Sequence, residues 1–180
     1  LTERPDNLAI EVARVLATRG DADAQGYVLR VLRDGPRTFR PQAAVAAMAL
    51  GSTHASELAA WLTDGDPEVA MRVAGILIRH EEYRQAAIDA LRPIAARPDG
   101  FLAIRALGAL ANGGDPWALD PIRQALASTD ANVRRLAVLA WPQAIGAHGS
   151  DVDPLVPLLR DPDRSVALFA AMQVLVIAAR

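Results

Sequence analysis

Cysteine and lysine are both missing from this sequence, and aromatic residues make up only 4% of it. Without cysteine, neither a disulfide framework nor thiolate chemistry is available. All 19 basic residues are arginine, a usage that is typical of GC-rich bacterial genomes. The net charge is −2, so no positive field draws the chain to nucleic acid or to an anionic membrane. The composition therefore argues against a disulfide-stapled scaffold and against a strongly basic nucleic-acid binder.

Long apolar runs are also scarce. The most apolar stretch covers residues 165–179, which is shorter than the ~20 residues that a membrane span requires, and Gln173 interrupts it. We therefore expect a buried helix there. No leader peptide is visible in the first residues, and together with the lack of cysteine this favours a cytoplasmic location.

What the sequence does contain is a repeated helical pattern. Hydrophobic residues make up 52% of the chain, and most of them are alanine, leucine and valine, of which alanine and leucine are strong helix formers. Apolar residues, here called anchors, recur every 30 to 33 residues at Leu8, Phe39, Val69, Phe101, Val133 and Val166. An aliphatic residue lies seven positions before five of these six anchors. Several columns that agree at one period indicate a tandem repeat.

Each repeat is predicted to be a pair of helices, because apolar residues follow helical spacing on both sides of a short polar break. The first residues match only the second helix of a repeat, and five full repeats follow. The predicted boundaries are a half-repeat at 1–19 and repeats at about 21–51, 54–80, 82–112, 115–146 and 151–180. The 180 residues are expected to form one domain, and the half-repeat suggests that it belongs to a longer chain.

Aspartates in the polar breaks predict where helices begin. In the segment LLRDPDRSV, residues 158–166, Pro162 discourages the first helix from continuing, and Asp163 can accept hydrogen bonds from the free amides of the next helix. The negative charge also suits the positive end of a helix dipole. Asp66 and Asp130 occupy the same place in their repeats. We therefore predict that Asp66, Asp130 and Asp163 are structural helix caps.

The repeat resembles the HEAT repeat, in the short PBS-lyase-type or HEAT_2-like variety, with a pattern similar to L-x-x-L-L-x-D-x-D-x-x-V-R-x-x-A. Residues 155–166 match well, and residues 64–69 and 130–137 supply the rest. The resemblance implies an all-α fold, an α-solenoid of helical hairpins wound as a right-handed superhelix. It also implies a polar ladder between neighbouring repeats. Its candidate members here are Asp34, Asp64, Asp161, Arg40 and Arg134, while Ala96, Ser128, Ala70, Leu102 and Ala167 replace the remaining ones.

No motif for chemistry accompanies the repeat. The three histidines, His54, His80 and His148, are tens of residues apart, whereas a metal site needs convergent ligands. The acidic residues between 151 and 163 lack the distal glutamate of a calcium loop. No nucleophile elbow and no phosphate-binding glycine loop is present. We therefore predict a protein that is not an enzyme and that holds no cofactor or metal.

The candidate partner-binding residues are arginines and tryptophans. Arg72, Arg105 and Arg135 lie near the start of second helices, which line the concave face in HEAT arrays, and guanidinium groups suit acidic partners. Trp117 and Trp141 are the candidate aromatic anchors. The alternative is a solvated helix face for the arginines and packing for Trp141.

The resulting functional prediction is a non-catalytic protein–protein interaction scaffold that binds a partner on the concave second-helix face. The partner is expected to be a protein or peptide, and a homodimer through the uncapped last helix is a further possibility. One alternative is a nucleic-acid-binding HEAT-like protein similar to DNA glycosylases. Another is an accessory subunit of a bilin lyase, which follows from the repeat type alone.

Overall fold

The computed structural model describes residues 5–47, 50, 54–97 and 100–180. Within these ranges the chain consists of helices and turns, without a β-strand, so the all-α prediction is confirmed for them. The α-helices are α1 (Asn7–Ala17), α2 (Ala22–Asp34), α3 (Arg40–Ala46), α4 (Ala55–Ala59), α5 (Pro67–Leu77), α6 (Arg84–Ala95), α7 (Gly100–Asn112), α8 (Leu119–Ala125), α9 (Ala131–Ala144) and α10 (Arg164–Ala178). Short 3₁₀ turns occupy Arg37–Phe39, Ala60–Thr63, Pro116–Ala118, Asp153–Leu155 and Pro157–Arg160.

The chain divides into two compact units, residues 1–90 and residues 91–180. In the first unit α1 packs on α2 and α3, α2 packs on α3, and α3 and α4 pack on α5. Apolar side chains at helical spacing fill the space between these helices because one stripe of each helix faces its neighbours. The most buried of the large ones are Ile10, Leu32, Leu58, Leu77 and Ile78.

In the second unit α7 packs on α8 and α9, α8 packs on α9, and α9 packs on α10. Small residues let α7 and α9 approach closely. A Cβ atom at Gly100 would lie 2.9 Å from Cγ2 of Val133, and one at Gly108 would lie 3.8 Å from Cβ of Ala140. Consecutive second helices thus lie side by side in this unit, and α10 is the last of them.

Left-handed glycines end three of the second helices. Gly20, Gly114 and Gly146 follow α1, α7 and α9 with φ values of 82°, 76° and 78°. After α7 the amide of Asp115 donates to the carbonyl of Leu110 at 3.0 Å, the hydrogen bond of a Schellman motif. These positive φ values favour glycine, so the polar break after each of these helices has a steric cause.

The last repeat differs from the expectation of two regular helices. Its first helix is replaced by the 3₁₀ turns Asp153–Leu155 and Pro157–Arg160. Pro154 and Pro157 lack an amide hydrogen, so a continuous α-helical ladder cannot form across them. The α-helices α6 and α9 do continue past Pro93 and Pro142, which lie within three residues of their ends.

Candidate protein-binding surface

Aspartate side chains cap the helices that follow three of the polar breaks. Asp66, Asp130 and Asp163 each have extended backbone and accept a hydrogen bond from the first turn of α5, α9 and α10. The carboxylate oxygens lie 2.9 Å from the amide of Glu68, 2.8 Å from that of Asn132 and 2.8 Å from that of Ser165. Asp6, Asp21 and Asp115 act in the same way on other helices.

Arg134 and Asp161 form a buried, two-pronged ion pair between the last two repeats. Nε of Arg134 donates to Asp161 at 2.7 Å and Nη2 donates at 2.8 Å, while Nη1 donates to the carbonyls of Ser128 and Thr129. The side chains are 12% and 3% exposed. Asp161 also accepts from the amide of Asp163, so the pair fixes the loop that leads into α10.

The other predicted ladder residues are less tightly paired. Nη1 of Arg40 lies 3.9 Å from Asp64, and its guanidinium lies over the ring of Trp61, 5.5 Å from the centroid. Asp34 pairs only with its exposed neighbour Arg33. The arginine of one repeat thus faces the aspartate of the next. The position that would supply the arginine for Asp34, directly after the anchor Leu8 in α1, holds alanine, Ala9.

A second set of arginine–aspartate pairs was not predicted. Arg92 in α6 donates to Asp115 at 3.1 and 3.2 Å, and the Asp115 carboxylate is almost fully buried. Arg123 in α8 lies 3.6 Å from Asp151 and over the ring of Trp141. Both pairs join the last turn of a first helix to the break before the next first helix. The sequence signal was an aspartate shortly after the glycine break.

The Arg134–Asp161 pair predicts a pH-dependent stability. The Arg134 hydrogen bonds hold the pKa of Asp161 below its ordinary value of 3.8, and the Ser165 hydroxyl and two amides do the same to the pKa of Asp163. A carboxylate whose folded pKa is lowered stabilises the fold above its unfolded pKa, and that contribution is lost as the pH falls through the folded value. We expect the free energy of unfolding to decline as the pH drops below about 4. Urea titrations at several pH values measure this decline, and Asp161→Asn with Asp163→Asn should make it shallower; an unchanged slope would contradict the assignment.

The three candidate arginines are on the second helices but do not form one column. Arg72 lies six residues after the cap Asp66, whereas Arg135 lies five residues after Asp130, a difference of about 100° around a helix. Arg72 pairs with Glu68 one turn earlier. Arg135 donates to Asn132 at 3.2 Å, and Arg105 lies over the ring of Phe101. All three residues are partly exposed.

The two candidate tryptophans have different environments. Trp117 is 39% exposed, with Arg92 over its ring. Trp141 is 0% exposed, and its indole nitrogen donates to the carbonyl of Asp151 at 2.8 Å. The interpretation of Trp141 as a partner contact does not fit this burial, because a partner could reach the ring only after α9 was displaced. Its role in the structure is packing.

The largest exposed apolar surface on one helix lies on α10. Leu168, Met172, Leu175 and Val176 are 60%, 48%, 71% and 51% exposed, and together they define the α10 outer face. The opposite side of the helix carries Val166, Ala170 and Ile177, which are buried against the rest of the second unit. A helix that is apolar all round is normally covered on both sides. The outer face is therefore the strongest candidate for a contact with another protein.

The side-chain clusters and the helix lengths of the described ranges bear on metal binding and on membrane insertion. They hold no group of three or more histidine, cysteine, aspartate or glutamate side chains arranged for a metal ion. His54 lies 3.1 Å from Glu57 and 3.5 Å from Gln25. None of the helices in these ranges combines the length and the apolar character needed to cross a bilayer. The described surface is that of a helical array with apolar and arginine-bearing patches.

Comparisons with known proteins agree with this architecture. A family model described as HEAT repeats matches residues 88–176. The X-ray structure of YibA of Escherichia coli is similar at 18% identity and a TM-score of 0.63, over 100% of this chain and 67% of that one. The crystal structure of an engineered protein is similar at 22% identity and a TM-score of 0.56, over 94% of this chain and 90% of its own. No curated protein matches the sequence.

Sequence identities this low support an inference about the fold but not about the function. The predicted α-solenoid fold is confirmed at that level, and so is the resemblance to HEAT repeats. The residues matched include α7, α8 and α9 and most of α10, which form the regular stacking of the second unit. Residues 88–176, nearly half of the chain, match the family model of HEAT repeats.

Proposed function

We propose that this chain is a non-catalytic protein–protein interaction scaffold that binds its partners through its second helices. HEAT repeats often act in this way, because an array of helical hairpins presents a long surface built from successive helices. The observation that carries the proposal is the α10 outer face, since exposed apolar patches on one helix mark protein contacts. The lack of cysteine agrees with a cytoplasmic location.

The arginines of the second helices are the other proposed contact residues, Arg72 in the first unit and Arg105 and Arg135 in the second. In HEAT arrays the second helices line the concave face, and Arg72, Arg105 and Arg135 belong to α5, α7 and α9. Their side chains are partly exposed, and guanidinium groups can form charge-assisted hydrogen bonds with acidic side chains. An acidic protein or peptide with an apolar segment is the partner that these groups suit.

Affinity capture from a bacterial lysate tests the proposal. The bait is the 180-residue chain, compared with a triple variant carrying Arg72→Glu, Arg105→Glu and Arg135→Glu. The matched control carries Arg19→Glu, Arg97→Glu and Arg160→Glu, which change the net charge equally at exposed sites away from those three arginines. We expect a stoichiometric protein to be retained by the unchanged chain and the control, and to be lost with the triple variant.

Two results would contradict parts of the proposal. Retention of the protein by all three baits would show that the three arginines are not needed for binding. The α10 outer face would then be tested alone with Leu168→Glu and Leu175→Glu. Recovery of nucleic acid, with binding that weakens steeply as salt is raised, would favour the nucleic-acid alternative over a protein partner. Turnover of any captured small molecule would overturn the assignment as a non-enzyme.

A further inference from the structure

We propose that the α10 outer face binds the same face of a second copy of this chain, with the two α10 helices antiparallel across a two-fold axis. The inference rests on the proposed function, because it names one partner for that surface. It concerns the exposed positions Leu168, Met172, Leu175 and Ala179, which share one side of the helix and are called the seam positions. Val166, Ala170 and Ile177 are buried within the chain and take no part in the proposed contact between copies.

The spacing of the seam positions fits an antiparallel pair. They are four, three and four residues apart, which is the spacing of the seam of a two-helix coiled coil. The same intervals occur in both directions along the helix. An antiparallel two-fold axis therefore sets Leu168 opposite Ala179 of the other copy and Met172 opposite Leu175. Leucine then meets alanine in the two outer layers of the contact, and methionine meets leucine in the two inner ones.

The charge distribution also suits a second copy. Residues 165–179 carry no charged side chain, so pairing two α10 helices buries no charge along the seam. Antiparallel pairing brings the amino end of each helix, where Asp163 lies, near the carboxyl end of the other, where Arg180 lies, and opposes the two helix dipoles. Arg164 at the amino end is exposed and can turn towards solvent.

The size of the surface sets the expected affinity. The α10 outer face consists of four large apolar side chains, and Val156 and Leu159, in the segment before α10, are a further 50% and 40% exposed. Standard interfaces use about 20–30 residues a side. The contact is therefore at the small end of the range, and we expect a reversible dimer with a dissociation constant in the micromolar range.

The first helix offers a competing arrangement and a matched control. Leu8, Val12 and Val15 of α1 are 74%, 42% and 41% exposed and are spaced by four and three residues. A head-to-tail contact of this face with α10 of another copy would leave a free end at each step and produce open chains. The exposed ion pair Glu11–Arg14 lies on the same helix, so such a contact would be less uniformly apolar.

Sedimentation equilibrium of the full chain across the micromolar range tests the dimer. The variant Leu168→Glu with Leu175→Glu should raise the dissociation constant at least about 100-fold, because a dimer would have to desolvate four added carboxylates. Glutamate is tolerated at exposed helix positions, and circular dichroism checks that each variant is folded. The control Leu8→Glu with Val12→Glu should dimerise like the unchanged chain.

Cross-linking tests the orientation without altering the apolar seam greatly. Since the chain has no cysteine, an equimolar mixture of the single variants Leu168→Cys and Ala179→Cys should form a disulfide between unlike copies. Leu168→Cys alone should cross-link poorly, because two copies of this residue lie at opposite ends of the seam.

Three outcomes would overturn the proposal. A monomer at all concentrations would exclude the second copy as occupant, and this would leave the capture experiment of the proposed function unaffected. Efficient cross-linking of Leu168→Cys with itself would show a parallel pair. Growth beyond a dimer that is abolished by the α1 variant as well as by the α10 variant would show the head-to-tail contact instead.

Discussion

Replacing Asp161 by asparagine should lower the free energy of unfolding by about 3 kcal/mol, the lower end of the cost of removing one partner from a buried ion pair. The substitution keeps the size of the side chain and an oxygen for the amide of Asp163. It removes the charge that balances Arg134, whose side chain is only 12% exposed. The guanidinium stays charged in a largely desolvated position, so the loss exceeds that of an ordinary surface pair. Urea denaturation followed by circular dichroism measures the change.

Asp34 provides the matched control for this prediction. It occupies the same column of the repeat as Asp161, but it pairs only with Arg33, and the two side chains are 59% and 70% exposed. Asp34→Asn should change the free energy of unfolding by less than about 0.5 kcal/mol, because exposed pairs contribute little. Equal effects of the two substitutions would show that the Arg134–Asp161 pair adds nothing beyond a general charge effect.

Replacing Trp141 by alanine should be at least as damaging, with an expected loss of about 3–5 kcal/mol. The indole is fully buried in the second unit, so its removal leaves a cavity. The substitution also leaves the carbonyl of Asp151 without its donor and removes the ring beneath Arg123. Thermal unfolding should show a marked drop in the midpoint temperature.

Two further variants separate packing from hydrogen bonding at this position. Trp141→Phe keeps much of the buried volume and loses the indole donor, so it should cost about 1–3 kcal/mol. Trp117→Ala, at a position that is 39% exposed, should cost less than Trp141→Ala because part of the ring is already in water. A larger loss at Trp117 than at Trp141 would contradict the burial that the structure assigns to these two rings.

The arginine–aspartate pairs connect the repeats on both sets of helices. The pair Arg134–Asp161 joins a second helix to the next inter-helix loop, whereas Arg92–Asp115 joins a first helix to the start of the next repeat. Each of these contacts stays between neighbouring repeats, as expected for a quasi-one-dimensional fold. The α10 outer face is different, because nothing within the second unit covers it.

Some features were predictable from sequence because they depend on residues close together along the chain. The helical period of alanine and leucine, the recurrence of anchors such as Val133 and Val166, and the polar breaks with Asp66 and Asp163 are local patterns, and they were sufficient to predict an all-α repeat fold. A proline-rich segment is also a local signal, yet we predicted a first helix at the start of the last repeat, as in the other repeats. The missing amides of Pro154 and Pro157 make 3₁₀ turns there instead.

The sequence by itself thus determined the helical repeat and the polar breaks between helices, since hydrogen bonds within a helix and its first turn involve residues up to four apart. Only the tertiary structure decided that Trp141 is buried, that Arg92 pairs with Asp115 across 23 residues, and that Leu168 and Leu175 face outward. Burial depends on which helix lies against which face, and α10 is apolar on both sides. Its sequence alone could not distinguish the side that packs on α9 from the side left open.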